Sequence, residues 1–449
     1  MMETVTTLSA DLAAGRTTSR ALLEQALARI ADPAGEGART FLKIYGETAR
    51  AEADHADRFR KAGIVRSQVD GLPISLKDLF DVGGDVTRAG SKVLNDAPPA
   101  KTDAPVVARL RAAGAIIIGR TNMVEFAFGG LGLNPHYGTP RNPWDRKTGR
   151  APGGSSSGAA VAVADGMGVM GLGSDTRGSV RMPAALCGVA GFKPTQRRIP
   201  RDGAFPLSYT LDSIGPLAKT IDCCAAYDAV LAGEPITPLA TMSATGLRLM
   251  VPRSEAIEDL DPHVGRSFES ALSALSRAGA HIIEVALPAF SRQAQYFKSG
   301  GYSGLEAAVI HQPWAHRLAE YDPRVGSRIA AGKNMTGVEV VEMNQMRAAF
   351  IREIEKAIAP FDAILTPAVP CVAPTIAESG ATDEAYMKWN MRIVRNCGLI
   401  NFLDGCAATI PCQEPGTGPV GLMISGVAMQ DRHILAVSKA IEAVVSGRA

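Results

Sequence analysis

The stretch GGSSSGAAVAVADGMGVMGLGSDTRGSVRMPAALCGVAGFKPT, residues 153–195, decides how this chain is read. Two familiar patterns lie inside it, and neither fits its surroundings. Gly154-Ser155-Ser156-Ser157-Gly158 matches the G-x-S-x-G of a nucleophile elbow, which needs a strand running straight into it. The residues before it, DRKTGRAPG, cannot form a buried strand. Gly166-Met167-Gly168-Val169-Met170-Gly171 matches the G-x-G-x-x-G of a dinucleotide site, which must follow a strand and open a helix. Here it follows the helix-like AAVAVADG and enters GLGSDTRGS, which does not read as a helix. Close backbone packing and positive φ are the expected work of these glycines.

Outward from this block the chain alternates between helical and strand-like segments. Upstream, residues 8–31 have apolar positions at helical spacing and 45–62 form a charged, Ala-rich helix. GLPISLKDLFDV (71–82) contains a short apolar strand, 103–113 a helix, and AIIIG (115–119) a buried strand. Residues 129–158 are rich in Gly, Pro, Asn and Ser and read as irregular backbone, which at this length inside a compact domain is usually functional or disordered. Downstream, LRLMV (247–251) and HIIEVAL (281–287) are strands with a helix at 264–278 between them. Residues 336–358 and 431–445 are helices, and DAILTPAVP (362–370), CAATIPC (406–412) and PVGLMISG (419–426) are strands. This alternation predicts an α/β layer structure. No repeat or low-complexity linker divides the chain, and 233–242 is the nearest thing to an internal boundary.

Composition narrows the function classes. Of 449 residues, 46% are hydrophobic and 20% charged, an ordinary globular mixture. Lys plus Arg total 47 and Asp plus Glu 45, a net +2, which gives no electrostatic case for nucleic acid or an anionic membrane. No apolar run is long enough to suggest a membrane span, and the first residues lack the basic start of a signal peptide. Seven cysteines, an odd number without a CxxC, favour buried thiols in a reducing cytoplasm over a disulfide framework. The seven histidines are scattered, so no metal site is expected.

Three residues then stand out together. Lys77 ends a short apolar strand, Ser155 sits in a glycine-flanked loop before a helix, and Ser179 follows Asp175-Thr176-Arg177-Gly178. A serine hydroxyl is a poor nucleophile until a base removes its proton. No histidine lies near either serine in sequence. A lysine can serve if burial lowers its pKa enough to leave it neutral. A second serine can relay the proton, and N–H groups of a glycine turn can hold an oxyanion. Taken alone, Lys77 at a strand end would read as a solvated charge. Asp175 and Arg181 read as supports of the turn or as an ordinary surface ion pair, worth about 0–1 kcal/mol. The Arg197-Arg198-Ile199-Pro200-Arg201 cluster reads as a partly solvated loop rather than a phosphate site.

The blocks GLPISLKDLFDV, GGSSSGAAVAVADG and LGSDTRGSVRMPAALCGVAGFKPT, in this order, resemble the amidase signature family of serine hydrolases. The resemblance extends over about residues 5–445 and is densest at 71–216, ending in TLDSIGP. It implies an α/β fold with a large mixed β-sheet surrounded by helices, one domain over residues 1–449 with its catalytic core at about 65–225, and a Ser–Ser–Lys triad. Ser179 would be the nucleophile, Ser155 the bridging serine with a cis peptide bond, and Lys77 the base. Backbone N–H groups of Thr176, Arg177, Gly178 and Ser179 would form the oxyanion hole. One departure matters: Arg177-Gly178-Ser179 stands where the family has Gly-Gly-Ser. A positive φ at Arg177 would cost about 1–2 kcal/mol. Its side chain is expected either to turn away and pair with an acid, the favoured option, or to line the acyl pocket.

The resemblance further implies an amidase acting on C–N bonds of linear amides, without cofactor or metal. The leading expectation is hydrolysis of a small-molecule carboxamide or anilide by acyl transfer to Ser179, releasing amine or ammonia and carboxylate. Carbamate (urethane) or ester hydrolysis on the same triad is the alternative. A glutaminase subunit of an aminoacyl-tRNA amidotransferase is disfavoured, because the stretch after GFKPT reads QRRIPRDGAFPLSYTLDS. A non-catalytic homologue is disfavoured by the intact Lys77, Ser155 and Ser179. The expected partners are the small-molecule substrate and, if the chain self-associates, a second copy in a homodimer.

Overall fold

The computed structural model describes residues 2–447. Its frame is one eleven-stranded mixed sheet. The strands are β1 (Phe41–Ile44), β2 (Pro73–Lys77), β3 (Ile116–Thr121), β4 (Met170–Asp175), β5 (Ala190–Lys193), β6 (Ser213–Ala218), β7 (Arg248–Arg253), β8 (His281–Ala286), β9 (Ala363–Pro367), β10 (Cys406–Pro411) and β11 (Gly421–Gly426). Their order is β1-β3-β2-β4-β6-β5-β10-β11-β9-β7-β8. β2 runs parallel to both β3 and β4, whereas β4–β6 and the pairs from there to β9 are antiparallel. β2, β3 and β4 are buried along their whole length. Burial on both faces is why PISLK and IIIGRT read as continuous rather than alternating runs.

The parallel register matters most for function. Leu76 of β2 pairs with Leu172 of β4, so the carboxyl ends of both strands emerge on the same side. Crevices at the carboxyl ends of neighbouring parallel strands are where α/β sheets bind ligands.

Between β3 and β4, the helix Ser157–Ala164 is buried on nearly every side. Its small residues let it lie directly on β4. A Cβ at Gly171 would stand 2.7 Å from the Ala159 carbonyl oxygen, so the glycines that disguise this strand in sequence are what admit the helix. The segment read as one helix over 8–31 is two, Val5–Ala13 and Ser19–Ala31. Gly15 takes φ +68° at the break, and Thr18 caps the second helix by accepting from the Ala21 N–H. All seven cysteines are buried and unpaired.

Candidate active site

Lys77 is the last residue of β2 and is fully buried. Its Nζ lies 2.7 Å from Ser155 Oγ and 2.9 Å from Ser174 Oγ, the latter on β4. Burial pulls its pKa down to about 7, against the opposing attraction of Asp212 and Asp175. The Gly154–Ser155 peptide bond is cis. The serine loop is fixed on two sides. Ser156 Oγ donates to the Ser174 carbonyl at 3.3 Å, and the Ser156 N–H donates to the Ser179 carbonyl at 3.3 Å. The second contact holds the Ser155 segment against Ser179. Ser156 therefore serves the loop's geometry, and no strand feeds it as an elbow would require.

The Ser179 turn is organised by Asp175. Its carboxylate accepts from the N–H groups of Gly178 at 2.7 Å and Val180 at 3.1 Å. It also takes Arg181 Nε at 3.0 Å, Arg181 Nη2 at 2.9 Å and Asn401 Nδ2 at 2.9 Å. Burial works to raise its pKa, but Arg181 and its other partners outweigh that and hold it well below the usual carboxylate range. Asp175 and Arg181 are both wholly buried, so the pair supports the turn and is not a surface bridge. The clustered arginines at 197–201 are bound to protein groups: Arg198 to Asp228 and Glu234, Arg197 to Asp404, and Arg201 to the Tyr209 carbonyl.

One expectation for the turn needs correction. Gly178 cannot offer its N–H to an oxyanion while Asp175 holds it. Among the described residues the N–H groups of Thr176, Arg177 and Ser179 have no protein acceptor. The positive φ falls on Gly178, at +116°, not on Arg177. A Cβ at Gly178 would meet Cys397 Cβ at 2.4 Å, so glycine is required there, and Arg177 carries no left-handed strain.

The favoured expectation for the Arg177 side chain is also overturned. It pairs with no acid among the described residues. Its guanidinium lies 3.8 Å from the ring centre of Phe297, and its Nε is buried without a hydrogen-bond partner. It forms part of the wall of a narrow cavity together with Ser179, Met182, Ser303 and Arg328. Burial, and then Arg328, lower its pKa to about 10, which still leaves a cation at neutral pH. A second, wider cleft of about 480 Å³ shares Ala127, Thr176 and Leu207 with this cavity.

The amidase family model matches residues 21–435. The chain belongs to the amidase family. A 2-amino-5-chloromuconic acid deaminase of Comamonas testosteroni is 36% identical over 408 residues, covering 89% of this chain and 87% of the relative. AtzE of Pseudomonas sp. (strain ADP), which forms part of a 1-carboxybiuret hydrolase, is 36% identical over 375 residues, 81% of each. A glutamyl-tRNA(Gln) amidotransferase component of Chloroflexus aggregans is 34% identical over 477 residues, 98% of this chain and 96% of the relative. A crystal structure of an amidase superposes with a TM-score of 0.88 at 34% identity, over 98% of this chain and 99% of that one.

As an amidase, the chain is a hydrolase of amide C–N bonds on an α/β frame. Its sequence concealed several residues of the site. Ser174 lies within the quoted block but carried no distinguishing signal. Asp212, in TLDSIGP, accepts from the Thr176 hydroxyl at 2.6 Å. Asn401, Ser303 and Arg328 come from segments far along the chain, where nothing in the sequence ties them to Ser179. No group of His, Cys, Asp or Glu that could hold a metal occurs among the described residues, and no helix there is long and apolar enough to cross a membrane.

Proposed function

We propose that this amidase hydrolyses a small-molecule carboxamide through an acyl-enzyme on Ser179. The observation that carries the reading is Lys77, buried, with its pKa brought down to about 7 and its Nζ 2.7 Å from Ser155 Oγ. Neutral Lys77 accepts the Ser155 proton while Ser155 accepts the proton of Ser179. Ser179 Oγ then attacks the amide carbonyl carbon. The N–H groups of Thr176, Arg177 and Ser179, which have no protein acceptor among the described residues, are the donors offered to the oxyanion, each such donor typically contributing about 3–4 kcal/mol. The proton returns through Ser155 to the departing nitrogen, the C–N bond breaks, and amine or ammonia leaves. Water deacylates Ser179 by the same relay and releases the carboxylate. Among the described residues the Ser179 hydroxyl makes no hydrogen bond; in free enzymes such contacts are often long and tighten when substrate arrives.

The relatives that act on a chloromuconic acid and on carboxybiuret support a small substrate. The same oxyanion forms from carbamates and esters, so these are the secondary substrates of the reading. The match to a glutamyl-tRNA(Gln) amidotransferase component favours one further role, supply of ammonia from glutamine. The unpaired thiols support a reducing, cytoplasmic setting. The test is ammonia or amine release from a panel of amides, anilides, carbamates, esters and glutamine, with the labelled residue mapped after treatment with a fluorophosphonate. Labelling at Ser179 together with turnover of simple amides supports the proposal; turnover of glutamine alone replaces it with the glutaminase role.

A further inference from the structure

We propose that the narrow cavity beside Ser179 is a carboxylate site, and that the substrate is a short monoamide of a dicarboxylic acid. This rests on the acyl-enzyme reading above and specifies its substrate class. Two arginines, Arg177 and Arg328, stand in the cavity wall, and among the described residues no Asp or Glu does.

The nearby acids are all engaged elsewhere. Asp175 is held by Arg181 and Asn401, and Asp212 by Thr176 and the N–H groups of Leu207 and Ser208. Glu306 takes the Ser208 and Thr210 hydroxyls, and Asp322 takes the Arg324 N–H at the start of the helix Pro323–Ala331. Neither arginine is therefore present to neutralise a protein carboxylate.

Each arginine is oriented by groups that leave part of it free. Arg177 lies face-on against Phe297, and the glycine at 398 makes room for it, since a Cβ there would sit 3.3 Å from its Nε. Stacking uses the face of a guanidinium and leaves its edge for hydrogen bonds. Arg328 donates Nε to the Arg324 carbonyl at 2.7 Å and Nη2 to the Phe128 carbonyl at 2.6 Å. Its Nη1 has no protein acceptor among the described residues. A third donor is waiting as well: the Ser303 hydroxyl is 2% exposed, lines the same cavity and has no hydrogen-bond partner.

Two guanidiniums and an unpaired hydroxyl facing one small space are unfavourable when it is empty. They become favourable when an anion brings charge-assisted hydrogen bonds to all three. The cavity, at about 40 Å³, admits a compact group and no long acyl chain. Arg177 is two residues from the proposed nucleophile, so the carboxylate lies only a few bonds from the scissile carbonyl. The wider cleft, which shares Ala127, Thr176 and Leu207 with this cavity, is left for the departing nitrogen.

The test compares malonamate, succinamate and glutaramate with the neutral amides of the same length. The readouts are ammonia release and, separately, calorimetric binding of malonate, succinate and glutarate to Ser179→Ala. We expect at least one acid of the series to exceed its neutral partner about 100-fold or more in kcat/KM. Arg328→Met and Arg177→Met, which keeps the backbone N–H, should each cut that preference by about tenfold or more, roughly 1.4 kcal/mol. The dicarboxylate should bind Ser179→Ala and fail to bind when Arg328→Met is added. Neutral amides turned over as well as the acids, with fluorophosphonate still labelling Ser179, would overturn the carboxylate site and leave the acyl-enzyme reading standing. Dicarboxylate binding without labelling or turnover at Ser179 would do the reverse. If Arg177→Met does not fold, the Arg328→Met comparison decides alone.

Discussion

The Thr176 hydroxyl donates to Asp212 Oδ1 at 2.6 Å, and this one contact joins the turn before Ser179 to the electrostatics of Lys77. Asp212 also accepts the N–H groups of Leu207 and Ser208, and its charge opposes the lowering of the Lys77 pKa. In Asp212→Asn the amide oxygen keeps the two N–H groups and the amide nitrogen donates to Thr176. The geometry survives while the negative charge is lost. The acidic limb of kcat/KM should therefore move to lower pH, by about one unit or less. A limb that stays in place would show that Asp212 does not act on Lys77.

The acidic limb itself should lie near pH 7. Below that pH Lys77 holds its proton and cannot take one from Ser155, so the rate should fall about tenfold per pH unit. Lys77→Ala should lose about 10²–10⁴ in kcat/KM and with it the limb. A rate that stays flat from about pH 5.5 to 8 with chemistry limiting would remove Lys77 from the mechanism.

The same shift predicts a stability effect of definite sign. The folded pKa of Lys77 is about 7 and the unfolded value is near 10.4. Between these values the unfolded chain binds a proton that the folded chain does not, so wild-type stability rises with pH across this window. Lys77→Met lacks that slope. It should be inactive yet more stable than wild type at pH 7, with the gap closing toward pH 10. Urea midpoints at pH 7, 8.5 and 10 check this, and a gap that widens with pH would contradict it.

Arg181→Met should destabilise the fold by about 3–5 kcal/mol, because it leaves the Asp175 charge buried with its main partner gone. It should also disturb the turn that Asp175 holds through the Gly178 N–H. A loss below about 1 kcal/mol in denaturant titration would equate this pair with a surface ion pair.

Ser179→Ala should abolish labelling by a fluorophosphonate and turnover of every amide while its melting transition stays close to wild type. Ser155→Ala should keep slow labelling, since it removes the relay but not the nucleophile. Ser179→Ala labelled at the wild-type rate would move the nucleophile elsewhere.

The triad candidates were legible because each carries chemistry within a glycine-marked motif. Their neighbours were hidden for physical reasons. β4, MGLGSD, does not read as a strand, because its glycines serve the approach of the helix Ser157–Ala164. The helix Asp383–Leu403 escaped notice because its buried face carries Asn390, Asn396 and Asn401, which spoils the apolar stripe. Those asparagines bind the Gly130 N–H, two carbonyls of the Ala256 and Pro367 segments, and Asp175. Gly15 split an apparently continuous apolar pattern at the N-terminus. Arg328 and Ser303 reach Ser179 only through the tertiary fold, which no local pattern records.

The seven buried thiols give this protein a chemical clock. Burial lifts Cys371, Cys397 and Cys412 to about 12, far from the thiolate that alkylating reagents attack. A folded molecule should pass through iodoacetamide almost unmarked, and a molecule that opens should gain mass at up to seven sites. The distribution of added mass after a short pulse then counts how many molecules opened and how far. It also sets the mode of failure: once the chain opens in air, its thiols are free to cross-link, and return to the active fold is blocked by chemistry rather than by folding.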